Sequence, residues 1–345
     1  MAAKANALLT DLLKQTSRSF YLTLRALPRK VRPQISLAYL LARTADTIAD
    51  TDLVHVEQRL DALRRLRERI SGTAITPLNF GALAQQQGAP AEKLLLEKVE
   101  ESLTLLSTLS SADQQLVRAV LATITGGQEL DLHRFAGASA ENIVALETAA
   151  DLDDYTWRVA GCVGEFWTKM CRAHLFPQRR MDDAQLVADG IRFGKGLQLV
   201  NILRDLPADL RKGRCYLPKD KLEPAGLLPE VLLSPAIEAK FRPLFCEYLD
   251  RAESHLTAGW RYTNTLPFGQ VRVRLACAWP ILIGMKTIQK LRTASVLELQ
   301  RRVKVSREEM RGILLRSVLF YPLPQTWQKL FSARGKAVAS GDKLA

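Results

Sequence analysis

Two aspartate pairs are the residues best placed for chemistry. Asp46-Thr47-Ile48-Ala49-Asp50 and Asp205-Leu206-Pro207-Ala208-Asp209 each space two carboxylates four residues apart. On an α-helix, positions i and i+4 share a face one turn apart. Each pair therefore aims two carboxylates at one spot, where they repel unless something neutralises them. Two such pairs brought face to face would form a cage of hard oxygen donors. That ligand set suits Mg²⁺ and a phosphorylated substrate.

Tyr39, Arg43, Asp46 and Asp50 fall at i, i+4, i+7 and i+11, one stripe of one helix. By itself such a stripe reads as a wet face, because helices commonly have one. Near the second pair, Gln198, Asn201 and Asp205 make a polar line among Leu, Ile and Val. A polar line in apolar surroundings suggests groups turned toward a polar ligand inside the fold. Asn and Asp oxygens suit Mg²⁺. The Arg204 guanidinium beside them is a fork for phosphate oxygens, and Lys212 and Arg214 follow in a loop that can close over an anion. Gly161 and Gly164 lie on one side of the helix that begins near Tyr155. Each costs up to about 1 kcal/mol relative to Ala. Either a ligand or a second helix must approach the backbone there, and the segment alone does not choose.

Helices must position these groups. The apolar period predicts helices over 32–50, 91–109, 113–135, 151–175, 182–206, 236–265, 270–292 and 306–320. Ser306 and Glu309 have capping-box spacing. No run of period-two alternation stands out. Gly, Pro and polar residues collect at 71–90 and 211–235, yet neither break divides compositionally different halves. The expectation is an all-α, single-domain protein over 1–345, with a core of about 15–320 and a frayed tail at 333–345. Pro207 is expected to interrupt the second pair and displace Asp209, since Pro removes a helical hydrogen bond and disfavours helix at Leu206.

The chain has 345 residues, of which 47% are hydrophobic and 25% charged, with a formal net charge of +13. That balance favours polyanions, whether an anionic membrane, nucleic acid or a diphosphate substrate. A nucleic-acid binder needs a basic stripe along one face. Acidic pairs beside the arginines argue against it, so no nucleic-acid partner is expected. Cys162, Cys171, Cys215, Cys246 and Cys277 form no CxxC, and the four histidines are scattered. A disulfide framework, a zinc site and a histidine triad lack support, and a reducing, cytoplasmic setting is expected. Met1 to Ser19 has no apolar core of a signal peptide. The apolar run from Leu275 to Met285 is shorter than the roughly 20 residues a bilayer span needs. The basic stretch of Arg292, Arg301, Arg302, Lys304, Arg307 and Arg311 suggests a peripheral membrane surface. There is no P-loop, GxGxxG or HExxH.

Four ordered motifs resemble the squalene/phytoene synthase family, the head-to-head prenyl transferases, over about residues 15 to 290. They are Thr16-Ser17-Arg18-Ser19-Phe20, Asp46 to Asp50, Tyr155 to Gly164, and Gln198 to Asp205 followed by Arg214-Cys215-Tyr216-Leu217-Pro218. The form of the first aspartate motif and Cys277-Ala278-Trp279-Pro280 resemble squalene synthases more than phytoene synthases. Ala276 stands where animal squalene synthases carry an aromatic residue.

The resemblance implies an isoprenoid-synthase-type helical bundle around a central cavity. It implies that two farnesyl diphosphates bind, with Mg²⁺ bridging diphosphate to Asp46, Asp50, Asn201, Asp205 and Asp209. Ser17, Arg18, Ser19, Arg43, Gln198, Arg204, Lys212 and Arg214 are then diphosphate contacts. Arg204 assists ionisation, and Tyr155 with Tyr39 stands near the proton that is lost. The products are presqualene diphosphate and, after NADPH reduction, squalene. Leu275, Ala278, Trp279, Ile281 and Leu282 are either a water-excluding wall or ordinary core. Dehydrosqualene or phytoene synthesis, without the reduction, is the alternative. A non-catalytic assembly factor of the same fold has no need of both aspartate pairs.

Overall fold

The computed structural model describes residues 12–16, 20–298 and 303–332. Its main helices are α1 (Arg32–Ala49), α2 (Val56–Ser71), α3 (Ser111–Arg134), α4 (Ala149–Thr156), α5 (Cys162–Leu175), α6 (Asp183–Arg211), α7 (Glu238–Thr265), α8 (Val271–Thr293), α9 (Arg307–Phe320) and α10 (Pro324–Ser332). Packing divides the chain into two compact units. One comprises the chain up to Ala136 together with Glu165–Arg180. The other takes Gly137–Gly164 and the chain from Met181 onward.

In the first unit, Pro33 sits in the first turn of α1, where a missing N–H is no loss. Ile35, Leu40, Leu41, Ala45 and Ile48 are buried along that helix. They pack against α3, whose stripe of Val117, Leu121 and Ile124 is also buried. Ser110 caps α3 by accepting from the Asp113 N–H. Asp113 is itself buried, and its carboxylate accepts from Gln34 at 3.1 Å and meets His174 Nε2 at 2.7 Å. Those bonds hold its carboxyl below the usual range, outweighing the burial that would raise it. Gly72 ends α2 in the left-handed conformation, φ 85°.

In the second unit α6, 29 residues long, packs along α7, and α7 along α8. Two glycines make the crossing at the start of α6 possible. A Cβ on Gly164 would stand 1.9 Å from the Gly190 carbonyl oxygen, and one on Gly194 would stand 2.1 Å from that of Ala160. The backbone approached at Gly164 is therefore a helix, which decides between the two readings of the Gly161–Gly164 segment. Between α4 and α5 the chain makes a π-turn, Trp157–Gly161.

The expected helices form, joined by α2 and α10, which the apolar period did not single out, and three further differences stand out. The helix expected over 91–109 is two, Pro90–Glu97 and Val99–Ser107, broken at Lys98. A short parallel pairing joins β1 (Val144–Ala145) to β2 (Arg214–Cys215), with Val144 opposite Arg214. Two residues per strand are too few for an alternation to show. The third correction is Pro207, which does not interrupt its helix, and α6 runs on to Arg211. Leu206 and Leu210 are fully buried on either side of it, and the burial of both offsets one lost hydrogen bond. Arg211 also donates to the Pro207 carbonyl at 3.0 Å. Ser306 and Glu309 form the expected capping box on α9.

Candidate active site

In the first unit α1 presents Tyr39, Arg43, Asp46 and Asp50 on one face. The Arg43 guanidinium donates to Glu92 at 2.7 Å and lies 3.9 Å from Asp46. From α3, the Gln128 side-chain amide donates to the Asp46 carboxylate. The Asp46 carboxyl is pushed up to about 6. Crowding by protein is the largest cause, and the like charge of Asp50 is the next. Arg43 and Gln128 oppose them. The Asp46 side chain still keeps 46% of its surface open, so a cation can reach it. Asp50 is exposed. Two carboxylates one turn apart on one helix fit a divalent cation.

Gln128 and Glu92 were not foreseen. Gln128 continues the buried stripe Val117, Leu121, Ile124 at the next helical step. A polar residue on a core stripe was the signal that could have found it. Glu92 lies in the first turn of a short helix and carried no such signal.

In the second unit the Tyr155 ring stacks on Tyr216, with centroids 4.6 Å apart. The hydroxyl of Tyr155 accepts from Gln198 at 3.4 Å, and Asn201 donates to the Gln198 oxygen at 3.4 Å. The polar line read from the sequence is thus a hydrogen-bonded ladder ending on a phenol. Two residues before Tyr155, Asp153 accepts from Lys195 at 2.7 Å and Arg251 at 3.1 Å. These bonds tie α4 to α6 and α7 and hold Tyr155 in place. Arg204 grips its neighbour Asp205 with two nitrogens, at 3.1 and 2.5 Å. Because α6 is unbroken, Asp205 and Asp209 remain one turn apart on one face. Lys212 caps the end of α6. Gly213 follows with φ 77°, and Arg214 begins β2. Trp279 is committed elsewhere, since its indole N–H donates to Ser317 of α9 at 2.9 Å. Ala278, Ile281 and Leu282 are core.

Ser17, Arg18 and Ser19 lie outside the described residues. Among the described residues no group of three or more His, Cys, Asp or Glu side chains is arranged to hold a metal. The donors come as pairs on single helices.

The squalene/phytoene synthase sequence pattern matches residues 13–309. This chain belongs to the squalene/phytoene synthase family. Within the family it is 30% identical over 253 residues to the presqualene diphosphate synthase of Rhodopseudomonas palustris, covering 72% of this chain and 75% of that protein. It is 28% identical to the bifunctional lycopene cyclase/phytoene synthase of Phaeosphaeria nodorum, covering 76% of this chain but 43% of the relative. The chain spans less than half the length of the bifunctional relatives it matches. The fold is that of the solved TcSQS complex with the ligand E5700, at TM-score 0.79, 22% identity, and 98% and 93% coverage of the two chains. The family's all-α fold and the order of its motifs are both present.

Proposed function

We propose that this chain joins two farnesyl diphosphates head to head, through presqualene diphosphate, and then reduces that intermediate to squalene with NADPH. The Asp46–Asp50 pair carries the reading, because two carboxylates one turn apart on α1, with Asp46 raised by protein crowding and then by the charge of Asp50, suit a divalent counter-charge. Asp46 and Asp50 would hold Mg²⁺ on α1, and Asn201, Asp205 and Asp209 would hold Mg²⁺ on α6. When bound, Mg²⁺ supplies Lewis-acid stabilisation of the departing diphosphate. Arg204, ordered by Asp205, presents a fixed guanidinium to the phosphate oxygens, and Lys212 and Arg214 add charge beside it. The Tyr155 oxygen, on its ladder with Gln198 and Asn201, takes part in removing the proton lost as the cyclopropane closes. No residue is assigned to NADPH. The reading includes a peripheral place at a membrane, because a C30 hydrocarbon leaves only into an apolar phase.

The 30% identity to a presqualene diphosphate synthase favours a second reading, in which the reaction stops at that intermediate. Incubating the purified chain with farnesyl diphosphate and Mg²⁺, with and without NADPH, separates the two. Squalene formed only with NADPH supports the full proposal. Presqualene diphosphate in both incubations removes the reductive step. The same conjugated hydrocarbon in both indicates a dehydrosqualene or phytoene synthase. No coupled product at all ends the prenyl-transferase reading.

A further inference from the structure

Six of the eleven large apolar side chains exposed among the described residues belong to one part of the second unit: Phe268, Val271, Leu315, Val318, Leu319 and Leu323. Leu315 is 61% exposed, Leu319 58% and Leu323 54%. Isolated exposed apolar residues need no explanation, but a cluster does. This one is rigid. The inner side of α9 is anchored by buried Ile313 and by Ser317, which receives the Trp279 indole. Tyr321 stacks on Phe268 at 5.0 Å and donates its hydroxyl to the Phe268 carbonyl. Arg274 lies over the rings of Phe268, Tyr321 and Trp327, 5.3 to 5.9 Å from their centroids.

The rim of the face is basic. Lys304, Arg307, Arg311 and Arg316 are exposed along or just before α9, against exposed Glu308. Glu309 is spoken for by Lys286 and Lys290. Of the basic stretch read from the sequence, Lys304, Arg307 and Arg311 are exposed. Arg292 is held by Asp250 and Glu253, and Arg301 and Arg302 lie outside the described residues. A second copy would bring a like-charged rim against this one, which is unfavourable. Apolar side chains framed by arginines instead complement a surface with anionic headgroups over acyl chains.

We infer that the outer face of α9, with the Phe268 turn, docks on an anionic lipid bilayer. The leucines and Val318 enter the acyl boundary and the arginines meet lipid phosphates. This rests on the membrane clause of the function proposed above and not on the reaction.

The test is sedimentation of the full chain with phosphatidylcholine vesicles, with and without phosphatidylserine. The variants are L315S/L319S and R307E/R311E. Helical content, Tm and diphosphate release from farnesyl diphosphate are followed alongside and should not change. Binding to phosphatidylserine vesicles should fall about tenfold or more in each double variant. Molar salt should remove the arginine-dependent part and spare the leucine-dependent part. Wild-type binding that both variants retain overturns the assignment and leaves the membrane clause standing. Absence of wild-type binding overturns both, while diphosphate release in the same preparation still reports on the reaction. A wild-type dimer that L315S/L319S converts to monomer shows that a second copy covers the face, and also overturns it. If the serine variant lowers Tm, the solvent-facing R307E/R311E carries the test.

Discussion

Gln128 of α3 donates its side-chain amide to Asp46 of α1, across 82 positions of sequence. That bond favours the ionised carboxylate and restrains the rise caused by crowding and Asp50. Replacing Gln128 with Met keeps the volume and removes the donor. The Asp46 carboxyl should then ionise at higher pH, and the acid limb of the Mg²⁺-dependent turnover profile should move upward. A limb that stays in place in Gln128→Met would show that Asp46 does not set it.

Asp46 also makes a stability prediction. Its folded carboxyl ionises at about 6 against an ordinary 3.8, so the folded state binds the proton more tightly than the unfolded chain. The stabilisation is fully present below the unfolded value and is lost as pH rises through about 6. At pH 7 without divalent metal, Asp46→Asn should therefore melt no lower than the parent. Turnover should fall on the order of a hundredfold or more. Added Mg²⁺ should raise the parent Tm more than the variant's. Equal metal-induced shifts would remove Asp46 from the metal site.

Because α6 runs through Pro207 to Arg211, Asp209 keeps its place one turn from Asp205. Asp205→Asn and Asp209→Asn should lower turnover to within about tenfold of each other, each by orders of magnitude. A clearly milder Asp209→Asn would mean that only Asp205 carries the charge that matters. Steady-state kinetics at saturating Mg²⁺ measures the difference.

Gly194→Ala would place a methyl 2.1 Å from the Ala160 carbonyl oxygen, where backbone meets backbone and neither side can yield cheaply. The cost should be roughly 1–3 kcal/mol or more, read as a lower denaturation midpoint. Gly269→Ala, which meets nothing within 4 Å, is the control. Equal stability of the two variants would show that the helix crossing is looser than the distance implies.

What a single stretch of backbone fixes could be read before any packing was known. Helical period placed Asp46 with Asp50 and Gln198 with Asn201, because i and i+3 or i+4 geometry belongs to a single helix. The Ser306–Glu309 cap and the all-α class followed from equally local rules. What depended on partners far along the chain was decided only by the tertiary structure. The α3 stripe could flag Gln128 but not name Asp46 as its acceptor. The glycine spacing announced a close approach, and only packing showed that it was α6. Local propensity wrongly ended α6 at Pro207, because the burial of Leu206 and Leu210 outweighs one missing hydrogen bond. The leucines of α9 have the period of a buried face, yet burial is a property of the whole unit. Nothing in a helix's own spacing states whether its apolar side meets the core or, as at Leu315 and Leu319, the outside.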